Sequence, residues 1–260
     1  MGSQNSPKIN ALFLDYDGTI SPLDVPMSES KVPSGTAAVL QKISQRIPVA
    51  IITTKDLSFV VKRTPFACAW AGLGGLEIKV GDVTFKSQKL RKAMKHLTIA
   101  LERAKCLSND DITIEEKRDS EEVTVAFSVD WRRAKNISAA EDTAMKIFVY
   151  CETLPVFTIK YERQPFFDVF PFPINKGKAL LELKKKLGLC DGIIYLGDST
   201  VDNPAFEEAD ISVGVIHQGT PKDLFCDYFV NFEDVTAFLR GLLKDNFCLN
   251  LSAPLILHRA

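Results

Sequence analysis

The stretch Leu12-Phe13-Leu14-Asp15-Tyr16-Asp17-Gly18-Thr19 converts an apolar strand into an acidic turn. The apolar run beginning at Ile9 stops at Asp15, and Gly18 offers the chain a turn closed to other residues. Open α/β sheets bind their ligands at such strand ends. A carboxylate placed there can attack phosphorus. A second carboxylate two positions on can protonate a leaving oxygen and later deprotonate water. Two carboxylates this close repel each other unless a cation lies between them, so a Mg²⁺ site belongs to the same expectation. A D-G pair also suits a plain capped turn, and the rest of the chain has to decide between the two.

Outward from that stretch, β-branched apolar runs alternate with amphipathic ones. Ser34–Ser44 reads as a helix with Val39, Leu40 and Ile43 on one face and Ser34 as its N-cap. Pro48–Thr53 is continuously apolar through Val49, Ala50, Ile51 and Ile52, as in a parallel strand covered on both faces. A helix over Asp56–Arg63 and a strand near Cys68–Ala71 follow, so the alternation predicts an α/β domain with a parallel sheet. The middle of the chain differs. A hairpin about Val80-Gly81, helices near 88–105 and 138–151, and strands over 112–116, 122–129, 156–160 and 166–170 predict an α+β unit with an antiparallel sheet. From Ile174 the first pattern resumes. The expected organisation is a Rossmann-like core, 1–81 with 173–260, interrupted by an inserted α+β domain over 82–172, with hinges near Gly81 and between Pro171 and Asn175.

Three features strengthen the reading of the acidic turn. The second strand ends in Thr53-Thr54-Lys55, and Asn175-Lys176-Gly177 opens a helix where a lysine and backbone N–H groups can face a phosphate. The strand Ile193-Ile194-Tyr195-Leu196 runs into Gly197-Asp198-Ser199-Thr200-Val201-Asp202, adding two carboxylates suited to an oxygen-only Mg²⁺ shell. Gly72-Leu73-Gly74-Gly75 lacks the third glycine of a dinucleotide loop, and Gly177-Lys178-Ala179 lacks the Ser/Thr and upstream glycine of a P-loop.

Composition sets the frame. The 260 residues carry 32 Lys+Arg against 33 Asp+Glu, a net charge of −1 that provides no global field for nucleic acid or an anionic membrane. With 46% hydrophobic and 25% charged residues the chain is expected to be globular. The histidines His96, His217 and His258 are too few and too scattered for an imidazole metal site and read as structural or solvent-exposed. Six dispersed cysteines form no C-x-x-C pair, and no signal peptide or membrane span is read, so the expectation is a cytoplasmic protein without membrane or nucleic-acid partners. Met1-Gly2-Ser3-Gln4-Asn5-Ser6 matches the loose myristoylation pattern and equally a cloning scar.

In this arrangement the chain resembles the haloacid dehalogenase (HAD) superfamily of aspartate-nucleophile phosphatases over nearly its whole length. D-x-D-G-T falls at Asp15–Thr19, the strand-end Ser/Thr at Thr53, the lysine at Lys176 and G-D-x-x-x-D at Gly197–Asp202, with the insertion where C2-type caps lie. The resemblance implies that Asp15 forms an aspartyl-phosphate and Asp17 is the general acid/base. It implies Mg²⁺ held by Asp15, Asp198 and the backbone carbonyl of Asp17, with Asp202 in support, and a phosphoryl group held by Thr53 and Lys176.

A finer likeness is to trehalose-6-phosphate phosphatases and related sugar-phosphate phosphatases. Leu73–Ile78, Glu115-Glu116-Lys117, Val129–Arg132 and Phe167–Pro171 look like their substrate segments, which implies that Glu77, Lys117, Arg132 and Asp168 hydrogen-bond sugar hydroxyls. Gly74, Asp130 and Asp168 depart from that family's usual residues, as do Thr54-Lys55 (usually Gly-Arg) and Ser199 (usually Asp). Charged residues on strands with a polar face are otherwise commonly solvated, and Trp70 and Trp131 read as core residues. The expectation is a Mg²⁺-dependent sugar-phosphate phosphatase. The alternatives are a phosphohexomutase of the same superfamily and a non-catalytic sugar-phosphate-binding protein; oligomeric state is left open.

Overall fold

A computed structural model describes residues 7–23, 25, 29–88, 90–161, 164–217, 223–250 and 256–258. The lipidation pattern at Gly2 lies outside these. The chain divides into two compact units, Met1–Phe85 with Asn175–Ala260, and Lys86–Ile174.

In the first unit the chain forms β1 (Ala11–Leu14), α1 (Ser34–Ser44), β2 (Val49–Ile52), α2 (Leu57–Arg63), β3 (Ala69–Gly72), β4 (Glu77–Val80) and β5 (Val83–Lys86). The second unit contributes α3 (Leu90–Leu107), β6 (Thr113–Arg118), β7 (Thr124–Asp130), α4 (Ile137–Glu152), β8 (Phe157–Lys160) and β9 (Phe166–Phe170). The first is then completed by α5 (Lys176–Lys186), β10 (Ile193–Gly197), α6 (Asn203–Glu208), β11 (Ile211–Ile216), β12 (Tyr228–Asn231), α7 (Val235–Lys244) and β13 (Leu257–His258).

The large sheet has the order β13-β12-β11-β10-β1-β2-β3-β4-β5. Its six central strands are parallel, and the pairings β12–β13 and β3–β4 are antiparallel. Because β5 extends this sheet through the turn at Gly81, the first division between units falls after Phe85, later than the 81/82 joint read from sequence; the second falls after Ile174 where the sequence reading had 172/173. Alternation along the strands sends side chains to opposite faces. Leu12, Leu14, Val49, Ile51, Ile194 and Leu196 pack with α1, α2 and α7, whereas Ala11, Phe13, Ala50, Ile52, Ile193 and Tyr195 pack with α5 and α6. Both faces are covered, which is why these strands read as unbroken apolar runs.

After β1 the chain builds β2 and β3 on one side, and after the second unit it returns to build β10, β11 and β12 on the other. The C-terminal ends of β1 and β10 therefore flank the point where strand order reverses, where such sheets open a ligand crevice.

The second unit is a four-stranded antiparallel sheet, β6-β7-β9-β8. One face packs Phe127, Val129, Phe167 and Val169 with Ala140, Ala144 and Ile147 of α4 and Leu97, Ala100 and Ala104 of α3. Trp70 and Trp131 are both buried, as expected. Ser34 is not an N-cap: it is the first helical residue of α1, the cap position is Pro33, and no side chain caps the helix. The Pro33 carbonyl accepts the first helical bond, from Ala37 N at 2.9 Å. Two further strands, β12 and β13, were not read from the sequence.

Candidate active site

Asp15 directly follows β1 and is buried, its backbone N–H donating to Leu196 O of β10 at 2.8 Å. The next residues form a tight turn: Ile20 N and Ser21 N both donate to Tyr16 O, and Gly18 N donates to Ser21 O at 2.7 Å. Gly18 has φ +73°, and a Cβ there would stand 2.1 Å from Asp198 Oδ2. Both the left-handed backbone and the approach of the second acidic loop thus require glycine at this position. His217 closes the turn from outside, its Nε2 lying 2.8 Å from Gly18 O while its ring stacks on Phe232. A carbonyl only accepts, so the ring must donate from Nε2.

Lys176, the first residue of α5, is buried with Nζ 2.7 Å from Asp15 Oδ1 and 2.7 Å from Asp202 Oδ1. Asn175 caps that helix through its side chain, which accepts from Lys178 N, and so sets where the lysine leaves the backbone. Gly177 lets α5 pack closely, since a Cβ there would lie 2.1 Å from Pro204 O at the start of α6.

Asp202 is fully buried and saturated. Its Oδ1 accepts from Lys176 and from Tyr195 Oη at 2.5 Å; its Oδ2 accepts from Asp198 N, Ser199 N and Ser199 Oγ at 3.1–3.2 Å. Ser199, standing where the resembling family usually has an acid, is therefore a donor to Asp202 and removes one negative charge from the cluster. Asp15, Asp198 and Asp202 each offer an oxygen within 4.8 Å of the others.

Three carboxylates around one ammonium leave an excess of negative charge in a dry place. Burial pushes the Asp15 carboxyl up to about 7, with Lys176 opposing and Asp202 and Asp17 reinforcing the shift. Burial, then Asp15 and Asp202, hold the Asp198 carboxyl well above its ordinary range. Burial alone would lower the Lys176 ammonium; the charges of Asp15 and Asp202 reverse that and hold it protonated.

Asp17 is more open, with Oδ2 3.8 Å from Lys55 Nζ and Oδ1 3.4 Å from Ser30 Oγ. Thr53 follows β2, is buried, and its Oγ1 accepts from Lys55 N. Asp15, Lys176, Asp198 and Asp202 thus meet directly, and Asp17 and Thr53 lie on adjoining strand ends of the same sheet.

The residues assigned to the sugar are placed differently. Glu77 is fully buried at the start of β4 in the first unit. In the second unit, Lys117 is neither solvated nor in a weak surface pair, but forms a buried bridge to Asp168 Oδ2 at 2.6 Å. Ser128, directly opposite Asp168 across the β7–β9 ladder, donates to Asp168 Oδ1, and Tyr161 donates to Oδ2. Arg132 forks onto Asp130, with Nε and Nη2 as close as 2.6 Å, and lies over the Phe166 ring.

Tyr195, Ser128 and Tyr161 were not singled out in the sequence; Ser199 is noted there only as a departure from the family's usual acid, and His217 only as a structural or solvent-exposed histidine. A signal existed for Tyr195: a buried phenol in an otherwise aliphatic strand requires a hydrogen-bond partner.

A family model described as trehalose-phosphatase matches residues 13–237 of this chain. A probable trehalose-phosphate phosphatase of Oryza sativa subsp. japonica is 28% identical over 263 residues, covering 90% of this chain and 67% of that protein. The chain spans half the length or less of the mycobacterial trehalose-phosphate phosphatases it matches. Among solved structures, the C-terminal domain of C. albicans trehalose-6-phosphate phosphatase superposes with a TM-score of 0.69 at 16% identity, covering 92% of this chain and 93% of that one. A HAD subclass IIB sugar phosphatase superposes at 0.60 and 15% identity, covering 92% and 99%. These likenesses establish the shared fold.

Proposed function

The chain belongs to the trehalose-phosphatase family, and on that premise we propose that it is a Mg²⁺-dependent phosphatase cleaving a sugar phosphate, trehalose 6-phosphate or a similar glycosyl phosphate, through an aspartyl-phosphate on Asp15. The observation that carries the reading is Lys176, buried and bridging Asp15 and Asp202 at 2.7 Å, at the reversal point of the sheet.

The donor set suits Mg²⁺. Asp15 and Asp198 are oxygen donors whose ionised forms are disfavoured as they stand, and an excess of carboxylate over ammonium suits a hard divalent cation. Asp15, Asp198 and the Asp17 carbonyl would hold it; Asp202, with its lone pairs already engaged, supports the lysine and the Asp198 loop. When bound, the ion offsets the carboxylates and the charge gathering on the phosphoryl oxygens.

The chain's own residues do the rest. An Asp15 carboxylate oxygen attacks phosphorus, and the bond to the sugar oxygen breaks as Asp17 gives that oxygen its proton. Lys176 directs two of its N–H groups to Asp15 and Asp202, which leaves its third donor for a phosphoryl oxygen; Thr53 offers its hydroxyl to another. Asp17, now ionised, takes a proton from water, which attacks the aspartyl-phosphate and releases inorganic phosphate. Glu77, Lys117, Arg132 and Asp168 are the sugar-side candidates, and a sugar hydroxyl must exchange with, or add to, partners that Lys117, Arg132 and Asp168 already have. The reading places the protein in the reducing cytoplasm, in keeping with six dispersed cysteines that form no C-x-x-C pair.

The test is phosphate release from a panel of mono- and disaccharide phosphates with and without Mg²⁺. Release should need Mg²⁺, favour a disaccharide phosphate about tenfold or more in kcat/KM, and vanish in Asp15→Asn. Undiminished turnover in that variant refutes the mechanism, and return of phosphate to the sugar instead of water would identify a mutase.

A further inference from the structure

The strand β10 is aliphatic at Ile193, Ile194 and Leu196, yet at its centre it carries a fully buried tyrosine. Nothing in the packing calls for the hydroxyl. Tyr195 stands opposite Phe13 in the backbone register of β1 and β10, and its ring meets Phe206 of α6 edge-on, with centroids 5.5 Å apart. A phenylalanine would fill the same space, and burying a phenol there without a partner costs free energy. The hydroxyl instead reaches Asp202 Oδ1 at 2.5 Å, the same oxygen that Lys176 contacts at 2.7 Å.

We infer that Tyr195 is a positioning residue for phosphoryl transfer: its phenol shares Asp202 Oδ1 with Lys176 and so keeps the ammonium divided between Asp202 and Asp15 rather than drawn onto Asp202 alone. The inference rests on the phosphatase reading above. Asp202 accepts five donors, of which Lys176 is the only charged one. The other three, on Asp198 and Ser199, all bind Oδ2 and orient the loop. Among the described residues the phenol is therefore the sole neutral donor on the oxygen facing the lysine. Without it Oδ1 has Lys176 alone, and a buried anion left with one cationic donor pulls that donor closer. The displaced amine would then sit further from Asp15 and from an incoming phosphoryl oxygen. The ring is held by strand pairing and by Phe206, so the hydroxyl cannot swing away, and its effect is exerted through Asp202.

Tyr195→Phe deletes only the oxygen. In the Mg²⁺-loaded enzyme, kcat should fall about tenfold, as expected from losing one hydrogen bond to a charged group. Binding of inorganic phosphate, read by calorimetry, should weaken by about fivefold, because Lys176 and not the sugar site is disturbed. KM for the sugar phosphate should follow the phosphate constant and no other. In an Asp202→Asn background, the additional change caused by Tyr195→Phe should drop below about twofold, since the path runs through that carboxylate. A folded Tyr195→Phe protein with unchanged kcat and unchanged phosphate affinity overturns the inference, even if its melting temperature falls. Equal effects of Tyr195→Phe in both backgrounds overturn it too. If the unmodified enzyme turns over no sugar phosphate, the phosphatase reading fails, and phosphate affinity alone still decides the role of Tyr195.

Discussion

Replacing Asp15, the proposed nucleophile, should make the metal-free protein more stable. Asp15 is 5% exposed, and its carboxyl titrates at about 7 in the folded protein against an ordinary 3.8. Below pH 4 the group is protonated in both states and contributes nothing. Between pH 4 and 7 the unfolded chain releases this proton while the folded chain retains it, so stability falls as pH rises. Above pH 7 the folded state bears the full cost, about 4 kcal/mol at 1.36 kcal/mol per pH unit. Asp15→Asn keeps the shape and an oxygen for Lys176 but never ionises, and so escapes that cost. Thermal melts in EDTA should place the variant about 8 °C or more above the parent at pH 8, at roughly 2–4 °C per kcal/mol for a chain this size. The gap should shrink to a small residue at pH 4.5, and millimolar Mg²⁺ should narrow it at pH 8 by stabilising the parent alone. A variant melting at or below the parent at pH 8, or a gap independent of pH, would refute the account of Asp15 as a buried, under-compensated carboxylate.

Other substitutions test the surrounding geometry. Lys176→Met leaves Asp15 and Asp202 buried without their cation and should cost about 3–5 kcal/mol in urea unfolding, with no detectable phosphate release. Gly18→Ala forces a Cβ onto Asp198 Oδ2 and strains a left-handed backbone, so phosphate release should fall about 100-fold even where a melt shows the protein folded. Asp168→Asn strips the charge from the buried bridge to Lys117; amide exchange should accelerate across residues 86–174 in step with a loss of about 3–5 kcal/mol, while β1 and β10 keep their protection.

The residues of the candidate site were more legible in the sequence than the contacts that surround them. Asp15, Asp17, Lys176, Asp198 and Asp202 announce themselves because each lies in the turn after an apolar strand or opens a helix, and a parallel sheet buried on both faces writes its strands as unbroken apolar runs. The supporting contacts depend on registers that no local pattern encodes. Ser128 meets Asp168 only because β7 and β9 pair at that step, and the ion pair with Lys117 joins residues on two strands separated by β7. His217 reaches Gly18 across most of the chain. Ser34 was misread for a local reason: Ser before a helical stretch suits an N-cap, but Pro33 already fixes the extended backbone at that position. The strands β12 and β13 close the far edge of the sheet, where short segments carry too little periodicity to be distinguished.

The position of β1 between β2 and β10 also bears on how the protein is made. Ala11 pairs with Ile193, so the strand leading into Asp15 waits for the whole inserted unit to be synthesised before its second neighbour exists. At about 5–20 residues per second on the ribosome, that interval is roughly ten to forty seconds. Throughout it, one backbone edge of an apolar strand has no native strand to pair with. Slower translation of the insert lengthens that exposure, and synonymous codon choice within it becomes a lever on the yield of folded protein.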